Sequence, residues 1–217
     1  MLVLGIDEAG RGPIIGPMVI AGVLIEDSEN ANLKNLGVKD SKQLTPNRRK
    51  FLFNEIKSLA EEVHFVEIPA HEIDSLRRRM SLNEAEAMKI AELIEKFKKR
   101  PDVIVIDLPD PSAEMFVRRI AKYSDVKEKI IAEHKADANW PAVSAASIIA
   151  KVVRDNAVES LEKKHGEIGS GYPGDERTVA FLKKHRGEEL DFVRYSWSTA
   201  KRTIGKKSKK QSTLSDF

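Results

Sequence analysis

Four carboxylates hold the chemistry that this sequence offers. Asp7 and Glu8 stand side by side after an alternating apolar run, and Gly10, Arg11 and Gly12 follow them. Far along the chain, Val103 to Ile106 runs into Asp107, and Asp137 stands shortly before Pro141. Asp7 follows Val3 and Gly5 at a period of two, and Asp107 follows Val103 and Val105 in the same way. If these two strands are parallel neighbours, both carboxylates leave one end of a sheet on one side, where open α/β sheets bind ligands. Carboxylates held close together raise one another's pKa, and a divalent cation relieves that repulsion. Hard oxygen donors suit Mg²⁺ or Mn²⁺, and two such ions can bracket the attacking and leaving oxygens of a phosphodiester. Metal-dependent phosphodiester chemistry is therefore the first reading. Taken singly, Asp107 and Asp137 read equally well as helix or turn caps; the two matched strand ends favour the metal.

The elements that must position these acids alternate along the chain. After the first strand, residues 17–26 read as a second, buried strand, and Thr45 with Pro46 opens a helix to about Glu61. Val63 to Pro69 alternates as a strand. Ser81 to Glu84 has the form of a capping box, and the helix it begins runs to the basic residues before Pro101. The Val103–Asp107 strand follows, then a helix capped by Asp110 and Pro111, a short strand at Lys129–Glu133, and a long helix from Pro141 to near Gly166. This order predicts a mixed α/β sheet flanked by helices. Residues 1–155 are expected to form the catalytic domain, 156–200 a small helical appendage without strands, and 201–217 a flexible basic tail.

Composition excludes several classes. The 217 residues contain no cysteine, which rules out disulfides, thiol catalysis and thiolate zinc sites. A net charge of +3 makes no global case for a polyanionic partner, and 6% aromatic residues argue against an extended base-stacking platform. The apolar stretch Ile14 to Ile25 contains Gly16, Pro17 and Gly22 and is shorter than the ~20 residues of a membrane span. Asp7 and Glu8 interrupt the only apolar run that could begin a signal peptide. A cytoplasmic protein, unattached to membrane and monomeric, is expected.

Five motifs in order, Asp7 to Pro13, Asp40-Ser41-Lys42-Gln43-Leu44, Val103 to Asp107, His134 to Asp137 and Ser170-Gly171-Tyr172-Pro173, resemble those of the type 2 ribonucleases H, more narrowly ribonuclease HII of the archaeal kind. The resemblance covers about residues 1 to 200. It implies the ribonuclease H-like fold and an endonuclease that cuts the RNA strand of RNA/DNA hybrids. It also implies incision 5′ of single ribonucleotides in duplex DNA, leaving 3′-hydroxyl and 5′-phosphate ends. The family's metal-binding acids match Asp7, Glu8, Asp107 and Asp137. Its element for sensing the ribose 2′-hydroxyl matches Gly10, Arg11 and Gly12, and its stacking tyrosine matches Tyr172. Telling RNA from DNA requires contact with that hydroxyl, and glycines let a backbone approach it. Arg11 itself reads equally as a surface charge or a phosphate contact, and Lys42 as a phosphate contact or one exposed lysine among many.

The tail carries a separate signal. Lys206, Lys207, Lys209 and Lys210 precede Gln211, Leu214 and Phe217, spaced like the peptide by which replication and repair proteins dock on the sliding clamp. Such spacing can place an apolar plug on one helical turn, although the usual motif ends in two aromatics and this one stops at Phe217. Two rivals fit less well. A nucleotide-binding loop at Gly10 to Gly16 lacks both the P-loop ending and dinucleotide spacing. A non-enzymatic adaptor leaves Asp7 and Asp107 without purpose, since bare acids repel phosphate.

Overall fold

The computed structural model describes residues 1–38 and 44–204. The chain opens with β1 (Leu2–Ala9), which turns back as the antiparallel β2 (Met18–Glu26). Helices α1 (Asn30–Asn35) and α2 (Pro46–Leu59) lead to β3 (Glu62–Ile68), antiparallel to β2. Then α3 (Ala70–Arg77) and α4 (Leu82–Ile94) carry the chain to β4 (Val103–Asp107), parallel to β1. A second crossover through α5 (Ala113–Ile120) ends in β5 (Lys129–Glu133), parallel to β4. The sheet order is β3-β2-β1-β4-β5. This is the expected mixed α/β sheet. The remainder is α6 (Ala136–Asn139), α7 (Pro141–His165), α8 (Glu176–Lys184) and α9 (Ser198–Ile204).

Period-two alternation divides the strands between two cores. Leu4, Ile6, Ile104 and Ile106 face α4 and α5, while Val3, Val103 and Val105 face α7 and α2. A third cluster joins Ile14 and Ile15, from the loop after β1, to Ile168, Phe181 and Val193 of the C-terminal segment. The border expected at residues 155/156 falls inside α7. Among the described residues no helix is long and apolar enough to cross a membrane.

Two sequence expectations change, and a helix is added. The helix from Ser81 stops at Ile94, well before Pro101. Phe97 turns into the core against Gly22, and the Glu62 carboxylate accepts from the amides of Lys98 and Lys99, which ends the helix early. The cap of α5 is Ser112, whose hydroxyl accepts from the Met115 amide, while Asp110 supports it one step back by accepting from the Ser112 amide. Finally, α3 has no counterpart in the sequence reading, because eight residues with four buried leave too short an apolar pattern to stand out.

Candidate active site

Parallel pairing of β1 and β4, with Gly5 opposite Val105 and Ile6 opposite Ile106, carries Asp7 and Asp107 out at adjacent strand ends. On the face they share, α7 lies directly on β1. A Cβ on Gly5 would sit 2.2 Å from the carbonyl carbon of Ala142, so glycine is required for this approach. Close packing brings Ser147 of α7 to Asp7, where its side chain hydrogen-bonds the carboxylate. Beside β4, Asp107 accepts from the Ala136 amide at 3.0 Å. That bond seats α6 and with it Asp137, whose carbonyl accepts from the Ser144 hydroxyl. Lys135, the residue before α6, holds a left-handed φ of 59°, a conformation uncommon for a side-chain-bearing residue.

One cavity of about 240 Å³ is lined by Asp7, Glu8, Asp107 and Asp137 together with Gly10, Arg11, Gly12 and Tyr172. Ala9, Ser147 and Lys151 complete its described wall. A larger groove of about 650 Å³, between β3 and α7, has mostly apolar walls that include Phe53, Phe65 and Phe192. Size does not mark the chemistry; the convergence of acids does.

Burial pushes the Asp7 carboxyl well above its usual range, and the neighbouring charges of Glu8 and Asp107 push it further. Glu8 is also raised, by burial first, with Arg11 opposing and Asp107 adding to the shift. The largest influences on Asp7 are burial, two carboxylates, a hydroxyl and a backbone amide. Such a set suits a hard divalent ion, which would supply positive charge. Among the described residues, no three acids or histidines are yet drawn into a closed ligand set.

The glycine loop is held from behind by the buried Arg194. Arg194 donates from Nη2 to the carbonyls of Gly10 (2.7 Å) and Gly16 (2.9 Å), and from Nη1 to that of Arg11 (3.1 Å). Gly10 has a φ of 85°, and a Cβ there would lie 2.6 Å from the Pro17 carbonyl oxygen. The Arg11 side chain turns inward, forming an ion pair with the fully buried Glu86 and donating to Asn83 Oδ1 at 2.5 Å. Asn83 in turn donates to Asp110 at 2.6 Å. With its side chain so engaged, Arg11 offers the cavity mainly backbone.

Tyr172 stands across the loop, 41% exposed, its Cε1 3.5 Å from where a Cβ on Gly12 would be. Arg154 lies over its ring at 5.3 Å and donates to the Ser170 carbonyl at 2.5 Å. The Gly171 carbonyl accepts from the Ile14 amide at 2.7 Å, which ties the tyrosine loop to the glycine loop. Asp175 caps the loop by accepting from the amides of Ser170 and Arg177, and the Arg177 contact above all holds its carboxyl below the usual range.

All eight cavity residues expected from sequence, Asp7, Glu8, Gly10, Arg11, Gly12, Asp107, Asp137 and Tyr172, therefore line one space. Lys42 and the tail residues Gln211, Leu214 and Phe217 lie outside the described residues. Sequence reasoning assigned no site role to Ser147, Lys151, Arg154, Arg194, Asn83 or Glu86. The four-residue step from Ser147 to Lys151 was the available signal, since it places both on one helix face. Arg194 and Glu86 gave none, because their partners are distant in the chain.

Comparison with known proteins points the same way. The family model described as Ribonuclease HII matches residues 4–200. Ribonuclease HII of Thermococcus kodakarensis is 46% identical over 209 residues, covering 95% of this chain and 91% of that protein. The crystal structure of ribonuclease H2 from Pyrococcus horikoshii OT3 superposes with a TM-score of 0.88 at 42% identity, covering 94% of this chain and 97% of the other. A structure of the PCNA:RNase HII complex from Archaeoglobus fulgidus matches with a TM-score of 0.83 at 38% identity, over 91% of this chain and 95% of that one.

Proposed function

Because the chain belongs to the ribonuclease HII family, we propose that the acid-lined cavity at the ends of β1 and β4 is its active site. The protein is a metal-dependent endoribonuclease that cleaves the RNA strand of RNA/DNA hybrids. Its finer action is incision on the 5′ side of single ribonucleotides in duplex DNA, with two metal ions. The observation that supports this most is the shared cavity: four acids, the Gly10-Arg11-Gly12 backbone and Tyr172 border one space.

Asp7, Glu8, Asp107 and Asp137 would hold Mg²⁺ or Mn²⁺. When bound, such ions neutralise the acids, polarise the phosphate oxygens and lower the pKa of an attacking water. The chain's own residues position everything else. Ser147 orients the Asp7 carboxylate, and the Ala136 amide orients Asp107. Backbone groups of Gly10 to Gly12, fixed by Arg194 and by the Arg11–Glu86 pair, meet the ribose 2′-hydroxyl, which DNA lacks. Tyr172 presents a flat face, steadied by Arg154, at the ribonucleotide–deoxyribonucleotide step. Hydrolysis joins a water oxygen to phosphorus and breaks the bond to O3′, leaving a 3′-hydroxyl and a 5′-phosphate. No protein nucleophile is needed. Residues 156–200 act as the helical substrate-binding appendage, and Lys42 contacts phosphate. Gln211, Leu214 and Phe217 dock on the sliding clamp, a partner class supported by the Archaeoglobus fulgidus complex.

The test is a duplex DNA containing one ribonucleotide, incubated with Mg²⁺ or Mn²⁺ and then with chelator. Nicking 5′ of the ribonucleotide is expected, stopping on chelation. Asp7→Asn and Asp107→Asn should each lower kcat by more than about 100-fold, since each removes a ligand from the ion set. Cleavage that survives chelation would sink the reading.

A further inference from the structure

One cation on the cavity wall has no part in the chemistry described so far. Lys151 lies on α7 four residues after Ser147, so both project from the same face of the helix, one turn or about 6 Å apart. Ser147 bonds the Asp7 carboxylate at one end of this stripe. At the other end, three residues beyond Lys151, Arg154 lies over the Tyr172 ring. Lys151 therefore occupies the wall between the acids and the tyrosine.

Its charge has a partner outside the four cavity acids. The ion-pair partner of Lys151 is Asp155, with Nζ to Oδ1 at 3.0 Å. That carboxylate is shared: Arg154 reaches the same oxygen at 3.3 Å and Arg49 reaches the other at 3.1 Å. Asp155 therefore does not neutralise Lys151 alone. Arg154 is only 4% exposed and Arg49 only 9%, whereas the Lys151 side chain is 27% exposed and faces the cavity. Lysine is thus the one member of this cluster placed to offer its charge to an anion. Its four-carbon stem gives the ammonium freedom to follow a phosphate oxygen, as a compact point charge rather than a fork.

We propose that Lys151 binds the phosphate one step along the cleaved strand from the reacting linkage, on the Tyr172 side, and so sets the register of the strand over the acids. The inference rests on the nuclease reading above and adds a phosphate-binding residue to it. Asp155, held by Arg49 and Arg154, acts as a positioning residue that keeps the lysine stem against α7.

The test uses the full chain and the single-ribonucleotide duplex with Mn²⁺, in which single linkages near the cut are replaced in turn by neutral methylphosphonates. Lys151→Gln and Lys151→Met are two independent charge removals that keep the stem, and circular dichroism confirms their fold. On the all-phosphate duplex each should lower kcat/KM about tenfold, through KM more than kcat, as loss of one charged hydrogen bond implies. Log affinity should also fall less steeply with log salt, by about one unit of slope. Lys151→Arg should restore most of the activity. On the duplex whose neutral linkage is the one next to the cut on the tyrosine side, Gln and wild type should cleave alike. Equal fractional losses at every linkage position, or no loss on the parent duplex, would overturn the assignment. Should the unaltered protein fail to nick the parent duplex, the nuclease reading itself falls, which is a distinct result.

Discussion

Glu86 is wholly buried on α4 and makes its ion pair with Arg11, whose backbone forms the middle of the glycine loop. Losing Arg11 would leave Glu86 uncompensated in a water-poor place, and losing Glu86 would leave Arg11 to the charges of Glu8 and Asp110. Glu86→Ala should therefore destabilise the fold by about 3–5 kcal/mol, measured as the shift of a denaturant midpoint. The double change Glu86→Leu with Arg11→Met should recover much of that stability, because an apolar pair of similar volume carries no desolvation cost. It should not recover ribonucleotide cleavage in step, since the loop would lose its tether to Asn83 as well. A double variant as unstable as Glu86→Ala would show that packing, not charge, is what the site needs. The arginine's chain neighbours could not reveal this role: Glu86 and Asn83 lie more than seventy positions away, on a helix that only the crossover to β4 brings alongside.

At the scale of elements, α7 is the organiser. It contributes small residues where it crosses β1, then Ser147 and Lys151 along the cavity wall, Arg154 over the Tyr172 ring, and finally Val158 against Gly16. The stretch from Ala142 to Ser147 reads in sequence as a closely packed helix start, and it is one; the approach is so close that Gly5 on β1 has no room for a methyl group. Gly5→Ala should push α7 off the sheet, since the added carbon would meet backbone atoms of Ala142 and Val143 at 2.2–2.5 Å, and backbone cannot rotate away. A loss of about 2–3 kcal/mol in thermal or chemical unfolding is expected, the upper part of the range for overpacking. Activity should fall further than stability requires, because Asp7 loses the register of Ser147. A variant of unchanged melting temperature would contradict the packing described.

Across the whole molecule, the end of the chain returns to its beginning. Arg194 grips the carbonyls of Gly10, Arg11 and Gly16, the Arg194 amide donates to the Ile14 carbonyl at 2.8 Å, and Ile15 bridges Val193. Asp74 on α3 ties the same segment down by accepting from the amides of Tyr195 and Ser196. The C-terminal segment thus shapes the glycine loop as well as supplying Tyr172. Beyond the described residues lie Gln211, Leu214 and Phe217, which we propose dock on the sliding clamp. Leu214→Ala with Phe217→Ala should abolish calorimetric binding to the sliding clamp while leaving nicking of a short duplex unchanged. Undiminished binding by that variant would refute the docking motif.

The acids were legible in the linear sequence through strand alternation once parallel pairing of the two strands is supposed, while the roles of the glycine loop and the tyrosine were legible only through the family resemblance of their motifs. The five strands and the helices α2, α4, α5 and α7 were legible because hydrophobic period and capping residues are local properties. Local pattern could not say that α4 ends at Ile94, because a buried Phe97 and a carboxylate from β3 decide it. Nor could it reveal Arg154, Arg194 and Glu86 beneath the site. A buried charge is stabilised only by partners that folding brings to it, and those partners are written elsewhere in the chain.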